Sequence, residues 1–165
     1  MSSIHDDPVS DAAARPLGRI PSGLFILTAR HEGHSTGMLA SWVMQAGFEP
    51  PMVTFALARG RFVGDWIEAA GRCTLNQVPS DGKVLLKHFG RGFAPDENAF
   101  DGLELLDVSA AGPVPAASSS FLDLEVVGRL DEGDHLVYLA RVVGAGVIRD
   151  DAEPYVHIRS NGFRY

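Results

Sequence analysis

From Gly23 to Arg30 the chain reads GLFILTAR, a nearly unbroken apolar run behind Pro21, which predicts a strand buried on both faces. HEGH (31–34) reads as the turn after it, and STGMLASW (35–42) as the partner strand of a first hairpin. Gln45, Ala46 and Gly47 then form an irregular segment before Pro50 and Pro51 start a third strand, PMVTFALA at 51–58. At RFVGDWIEAAG (61–71) the period changes: Phe62, Trp66, Ile67 and Ala70 recur at helical spacing, and Gly71 is placed to stop the helix.

RCTLNQVP (72–79) returns to strand, and SDGKVLLKHFG (80–90) predicts a second short helix with Ser80 as its N-cap and Gly90 at its end. Residues 91–118 are turn-rich around one strand candidate, LELLDVS at 103–109, and a loop of that length is usually a lid or a binding loop. FLDLEVVGRL (121–130) and HLVYLARVV (135–143) alternate apolar with polar or small residues on either side of DEGD, which predicts a long hairpin with one wet face. The closing YVHIRSNGFRY reads as a short strand and an Asn-Gly turn. About seven strands meeting through hairpins, with two short helices, predict a mainly β fold: an antiparallel barrel with helical crossovers. A doubly wound parallel sheet is excluded, because nothing alternates as βαβ.

Composition sharpens this picture. Eighteen glycines and ten prolines in 165 residues favour strands and turns over long helices. The chain is long enough for one domain with its own core, expected over residues 19–165. Residues 1–18 are acidic and rich in Pro and Ala, without a basic or an apolar signal region, and are expected to be a mobile arm with a cytoplasmic address. Fourteen Lys and Arg against 21 Asp and Glu give a net charge of −7, which argues against nucleic acid and against a membrane surface. Apolar runs such as LVYLA (136–140) fall far short of the ~20 residues of a spanning helix. Cys73 is the sole cysteine, so redox chemistry would need a borrowed cofactor.

Candidate chemistry is sparse. Arg59, Gly60 and Arg61 lie between a strand and a helix, where uncapped N–H groups and two guanidinium groups suit a phosphate; the plainer reading is two solvated surface charges. Ser41, Trp42, Gln45 and Ala46 offer polar groups beside an aromatic face, as a flat heteroaromatic ligand needs, although alone they read better as a core Trp and the end of a strand. HEGH is one residue short of H-E-x-x-H and sits in a turn, so a solvated turn is favoured over a metal site. No G-x-S-x-G surrounds Ser118–Ser120, and no G-x-G-x-x-G follows a strand.

Four segments in order, TGMLASW, FEPPMVTFAL, RGR with TLNQV after it, and HIRSNGFRY, resemble the flavin reductase-like family of FMN-binding split barrels. The resemblance implies a homodimer with FMN near the subunit interface and hydride transfer from NAD(P)H to flavin, ping-pong or sequential. It implies that Met38, Ala40, Ser41 and Trp42 run past the isoalloxazine edge, and that Gln45 and Ala46 stand at its rim or ribityl chain. Arg59, Gly60 and Arg61 would hold the phosphate, Asn76 would approach the cofactor, and His157 would line the nicotinamide side. The 91–118 region would be the substrate-side loop. Reduced flavin would then serve a partner monooxygenase. Two alternatives stay open: an FMN-containing electron-transfer protein reduced by a protein partner, and a non-catalytic barrel holding a flavin or another flat ligand.

Overall fold

Glu32 and Gly33 both have positive φ, 47° and 78°, the backbone of a two-residue hairpin turn whose twist matches its strands. They join β1 (Phe25–His31) to β2 (His34–Ala40), with His31 opposite His34. In the computed structural model, which describes residues 8–164, the chain continues through β3 (Val43–Phe48), β4 (Pro51–Ala58), α2 (Phe62–Ala70) and β5 (Arg72–Gln77). Then come α3 (Lys83–Phe89), β6 (Leu105–Leu106), β7 (Val114–Pro115), β8 (Ser120–Leu130) and β9 (His135–Val147). A helix not expected from the sequence, α1 (Pro8–Gly18), precedes them.

Among the described residues the main sheet has seven antiparallel strands in the order β2-β1-β5-β8-β9-β4-β3. It is a split barrel: β2 and β3 are unpaired edges although consecutive in the chain. The inward residues of these strands enclose one core, including Leu27, Val53, Phe55, Leu75, Leu124 and Tyr138, closed by Val63 and Ile67 of α2. Each large apolar side chain so removed from water contributes about 1.5–3 kcal/mol. Gly71 ends α2 in the left-handed region at φ 68°, as its position in the sequence implies.

A second core lies on the outer side of β1, where Leu85 and Phe89 of α3 meet Leu24, Ile26, Val78, Ala99 and Phe100. Residues 91–118 cover this layer. Their strand content is only the β6–β7 pair, so the expected strand over 103–109 shrinks to two residues. The segment is strapped down by Thr28 Oγ1, which donates to Pro113 O at 2.8 Å, and by Asp123 Oδ1, which accepts from Ser109 Oγ at 2.6 Å and Thr74 Oγ1 at 2.8 Å.

Three local expectations change. Residues 43–48 are a strand, whose period is hidden by a register shift between Gln45 and Gly47. Ser80 is not the N-cap of α3: Gly82 holds that place, and the Ser80 N–H donates to Glu153 O instead. The closing segment is no regular strand but is held by isolated bridges, Ser22 to His157 and Pro79 to Pro154.

Candidate functional site

Ser41 and Trp42 connect the two edge strands, and beside them opens a cleft of about 1090 Å³. Its walls come from five strands: Phe25 and Gln77 from β1 and β5, Met44 and Thr54 from β3 and β4, His135 and Val137 from β9. Leu17, Ile20, Tyr155, Arg159 and Phe163 complete it from the terminal segments. These are docked on each other, since Gly162 N donates to Ala14 O and Arg159 N to Gly18 O, and the Gly162 backbone lies too close to Leu17 for any side chain.

Ser41 is only 7% exposed, and its Oγ has no hydrogen-bond partner. A buried hydroxyl left unpaired costs about 1–3 kcal/mol, and this one belongs to a residue of the cleft wall. The Trp42 ring packs against His135 at 4.6 Å between centroids, and the Arg159 guanidinium lies 5.4 Å from the Trp42 ring centre. His135 Nδ1 donates to Asp134 Oδ1 at 2.8 Å. That bond, with a smaller contribution from the Arg59 charge, holds the Asp134 carboxyl below its ordinary value.

The Arg59–Arg61 corner adjoins this rim: the Arg59 N–H donates to Asp134 O at 3.0 Å. Its two arginines differ in kind. Arg59 Nε donates to Gly133 O at 2.7 Å and its guanidinium is paired with Asp131, so it is bound into the β8–β9 turn. Arg61 stands at the N-cap of α2 without capping it, and among the described residues its guanidinium has no partner. Gly60 between them has φ 77°, a backbone that a side chain would strain.

The cleft contains Ser41 and Trp42 of the residues expected from sequence. Met38 and Ala40 point into the barrel core and approach the cleft only through the adjoining backbone. Gln45 and Ala46 lie in the β3 bulge, exposed, with Gln45 Nε2 turned to Gly47 O at 3.4 Å. Asn76 is fully buried, and its Nδ2 donates to Ile26 O at 3.0 Å and Pro113 O at 3.3 Å, so its amide anchors the strap. His157 is outside the cleft lining and is fixed by its backbone, its N–H donating to Ser22 O at 2.7 Å. None of residues 91–118 lines the cleft. His31 and His34 face each other across the first turn, with the His31 ring 5.9 Å from Trp66. Among the described residues no cluster of three potential ligands suits a metal ion, and no helix is long and apolar enough to cross a membrane.

The model of the flavin reductase like domain matches residues 17–164. The chain belongs to this family. Among curated proteins it is 32% identical over 152 residues to the diflavin flavoprotein A 1 of Synechocystis sp., covering 92% of this chain and 26% of that protein. The chain thus spans about a quarter of the length of the curated relatives it matches. Among solved structures, the NADH:FAD oxidoreductase SgcE6 of Streptomyces globisporus superposes with a TM-score of 0.80 at 19% identity, over 87% of this chain and 85% of that one. A homologue of nitrilotriacetate monooxygenase component B from Mycobacterium thermoresistibile gives 0.78 at 25% identity, over 88% and 80%.

The residues of this flavin reductase-like domain fit a flavin. Apolar walls suit the ring, and Ser41 in the wall carries a hydroxyl with no partner within the protein. Gln77, His135, Arg159 and Tyr155 were not assigned to the site from sequence. Arg159 was visible only as a neighbour of His157, and His135 only as the first residue of an alternating strand.

Proposed function

We propose that the chain is an NAD(P)H-dependent FMN reductase, acting as a cytoplasmic homodimer that hands reduced flavin to a partner monooxygenase. Ser41 is the observation that carries the flavin reading: a residue in the wall of a large apolar cleft whose buried hydroxyl has no partner within the protein. The volume, about 1090 Å³, lies at the upper end for small-molecule sites and leaves room for a second flat ring over the first. FMN has one terminal phosphate, which Arg61 and the uncapped first turn of α2 suit beside the Asp134 rim. Dimerisation is supported by large exposed apolar residues on β3 and β9, Phe48 at 89% and Val147 at 69%. The names of the solved relatives, an NADH:FAD oxidoreductase and a monooxygenase component, support the reductant and the partner class.

Flavin contributes the hydride-accepting ring nitrogen, while the protein contributes position and electrostatics. In this reading Ser41 donates to the polar edge of the ring, and the Trp42–His135 pair forms a wall beside it. Arg61 neutralises the phosphate, while Arg59 holds the corner through Asp131 and Gly133. The terminal segments, with Tyr155 and Phe163, exclude water from the open side. The expected result is a yellow protein that oxidises NADH or NADPH when flavin is added. A protein that binds flavin but turns over neither nucleotide would remove the reductase half of the proposal.

The similarity to diflavin flavoproteins favours a second reading, an electron-transfer unit that keeps its flavin and is reduced by a protein partner. Flavin retained through gel filtration, with slow NAD(P)H oxidation, distinguishes it.

A further inference from the structure

Gln77 ends β5 half-buried on the cleft wall. Its side-chain oxygen accepts from Ser119 Oγ at 3.3 Å and from Ser120 Oγ at 3.2 Å. Ser119 Oγ also reaches the main-chain carbonyl of Gln77 at 3.3 Å, so its single hydrogen is shared between the two oxygens of Gln77. The backbone fixes the same spot, because Ser119 N donates to Gln77 O at 3.0 Å and Gln77 is paired with Ser120. The Ser120 hydrogen, with the shared hydrogen of Ser119, turns the carboxamide oxygen toward the serines. Its nitrogen is left over, and among the described residues it has no acceptor.

A second donor stands two strands away. Phe25 of β1 is paired with Ala40 on one side and with Gln77 on the other. Two strand spacings put Ala40 and Gln77 roughly 10 Å apart, and Ser41 follows Ala40 directly. Phe25 itself lines the cleft between them. The wall therefore sets an apolar ring between two residues with unused donors, Ser41 and Gln77, which a long, flat ligand with acceptors spread along its edge would suit.

We propose that Gln77 is a specificity-determining residue of the cleft, its fixed Nε2 donating to a carbonyl oxygen on the pyrimidine ring of the bound flavin. The inference rests on the flavin reading of the cleft and goes beyond it in naming the ligand atom class and the residue that recognises it. The carbonyls of a flavin ring lie on that ring alone, so a donor without acceptor capacity discriminates it from the hydrocarbon edge. Ser119 and Ser120 are positioning residues: they hold the amide so that the nitrogen, not the oxygen, faces the ligand.

The test titrates flavin-free protein with riboflavin and with FMN, following the quenching of flavin fluorescence. Gln77→Glu keeps an oxygen for the serines and replaces the donor by an acceptor; Gln77→Leu removes both. Each is expected to weaken riboflavin and FMN by the same factor, about tenfold. The Ser119→Ala/Ser120→Ala double variant frees the amide to turn and is expected to weaken both ligands by a smaller factor. A Gln77→Glu protein that binds riboflavin like the wild type overturns the proposal, as does a loss confined to FMN. If Gln77→Leu does not fold, Gln77→Glu carries the test alone. Wild-type protein that binds neither flavin overturns the flavin reading itself, and this inference with it.

Discussion

Tyr138 donates its phenolic hydrogen to Glu68 Oε1 across 2.8 Å, joining the centre of the barrel to the outer side of α2. The Tyr138 ring is fully buried and stacks on Phe55 at 5.0 Å, and Arg129 donates to the same Glu68 oxygen at 2.6 Å. The Tyr138 hydrogen bond first, and the Arg129 contact second, hold the Glu68 carboxyl below its ordinary value. Burial and the bond to Glu68 push the Tyr138 hydroxyl up. Tyr138→Phe keeps the ring and loses one hydrogen bond, a destabilisation of about 1 kcal/mol and a Tm lower by roughly 2–4 °C.

The same contact sets an acid limb of stability. A carboxyl whose folded-state pKa is depressed stabilises the protein above its unfolded value, about 4.3, and loses that contribution as pH falls through the lower folded value. Denaturation followed from neutral to acid pH should therefore show a decline below about pH 4.3 that is shallower in Tyr138→Phe. Parallel profiles would mean that Glu68 draws its shift elsewhere.

At the phosphate corner the two arginines should separate. Arg61→Ala is expected to weaken FMN roughly 10–100-fold and to leave riboflavin unchanged, as loss of a charge-assisted contact predicts. Arg59→Ala removes the tie to Asp131 and Gly133 of the β8–β9 turn, so its effect on FMN should be smaller and accompanied by a lower Tm. Fluorescence titration of both ligands decides it, and equal loss of FMN and riboflavin in Arg61→Ala would take the phosphate away from this corner.

Ser41→Ala should act with opposite signs on stability and on binding. Removing a buried hydroxyl without a partner stabilises the ligand-free protein by about 1 kcal/mol, or roughly 2–4 °C in Tm. The same change removes the donor at the flavin edge and should weaken riboflavin and FMN alike. Thermal melts with and without flavin would show the two effects; a lower ligand-free Tm would mean that the hydroxyl is already satisfied.

The strap over β1 should depend on a single glycine. A Cβ on Gly112 would meet Thr28 Oγ1 at 2.5 Å and Thr28 O at 2.6 Å, and the second is backbone that cannot swing away. Gly112→Ala is therefore expected to cost about 1–3 kcal/mol and to speed proteolysis within 103–113, while flavin affinity changes little because the strap does not line the cleft. Limited proteolysis with mass analysis reads the first effect, titration the second.

Hairpins carried by local signals were legible in the sequence. Alternation around DEGD and the apolar run at 23–30 both became strands, and Gly71 ends its helix. β3 was hidden because the bulge at Gln45–Gly47 breaks the two-residue period within a six-residue strand. Of the cleft wall, Ser41 and Trp42 were legible because they are local. Gln77, His135 and Arg159 were not, because strand order and the terminal bridges bring them together from β5, β9 and the chain end. Asn76 lies away from the cleft because its neighbour Gln77 lines it and strand alternation turns Asn76 to the opposite side.

Ser41 and Trp42 join strands at opposite ends of the sheet order, which makes this dipeptide a spacer cut to length. Connections on a protein surface ordinarily absorb an extra residue. Here one residue more has to be taken up between the two strands, because β3 keeps its place against β4, with Val43 opposite Phe55 and packed on the barrel core. The dipeptide works as a ruler: its letters can change before its length can.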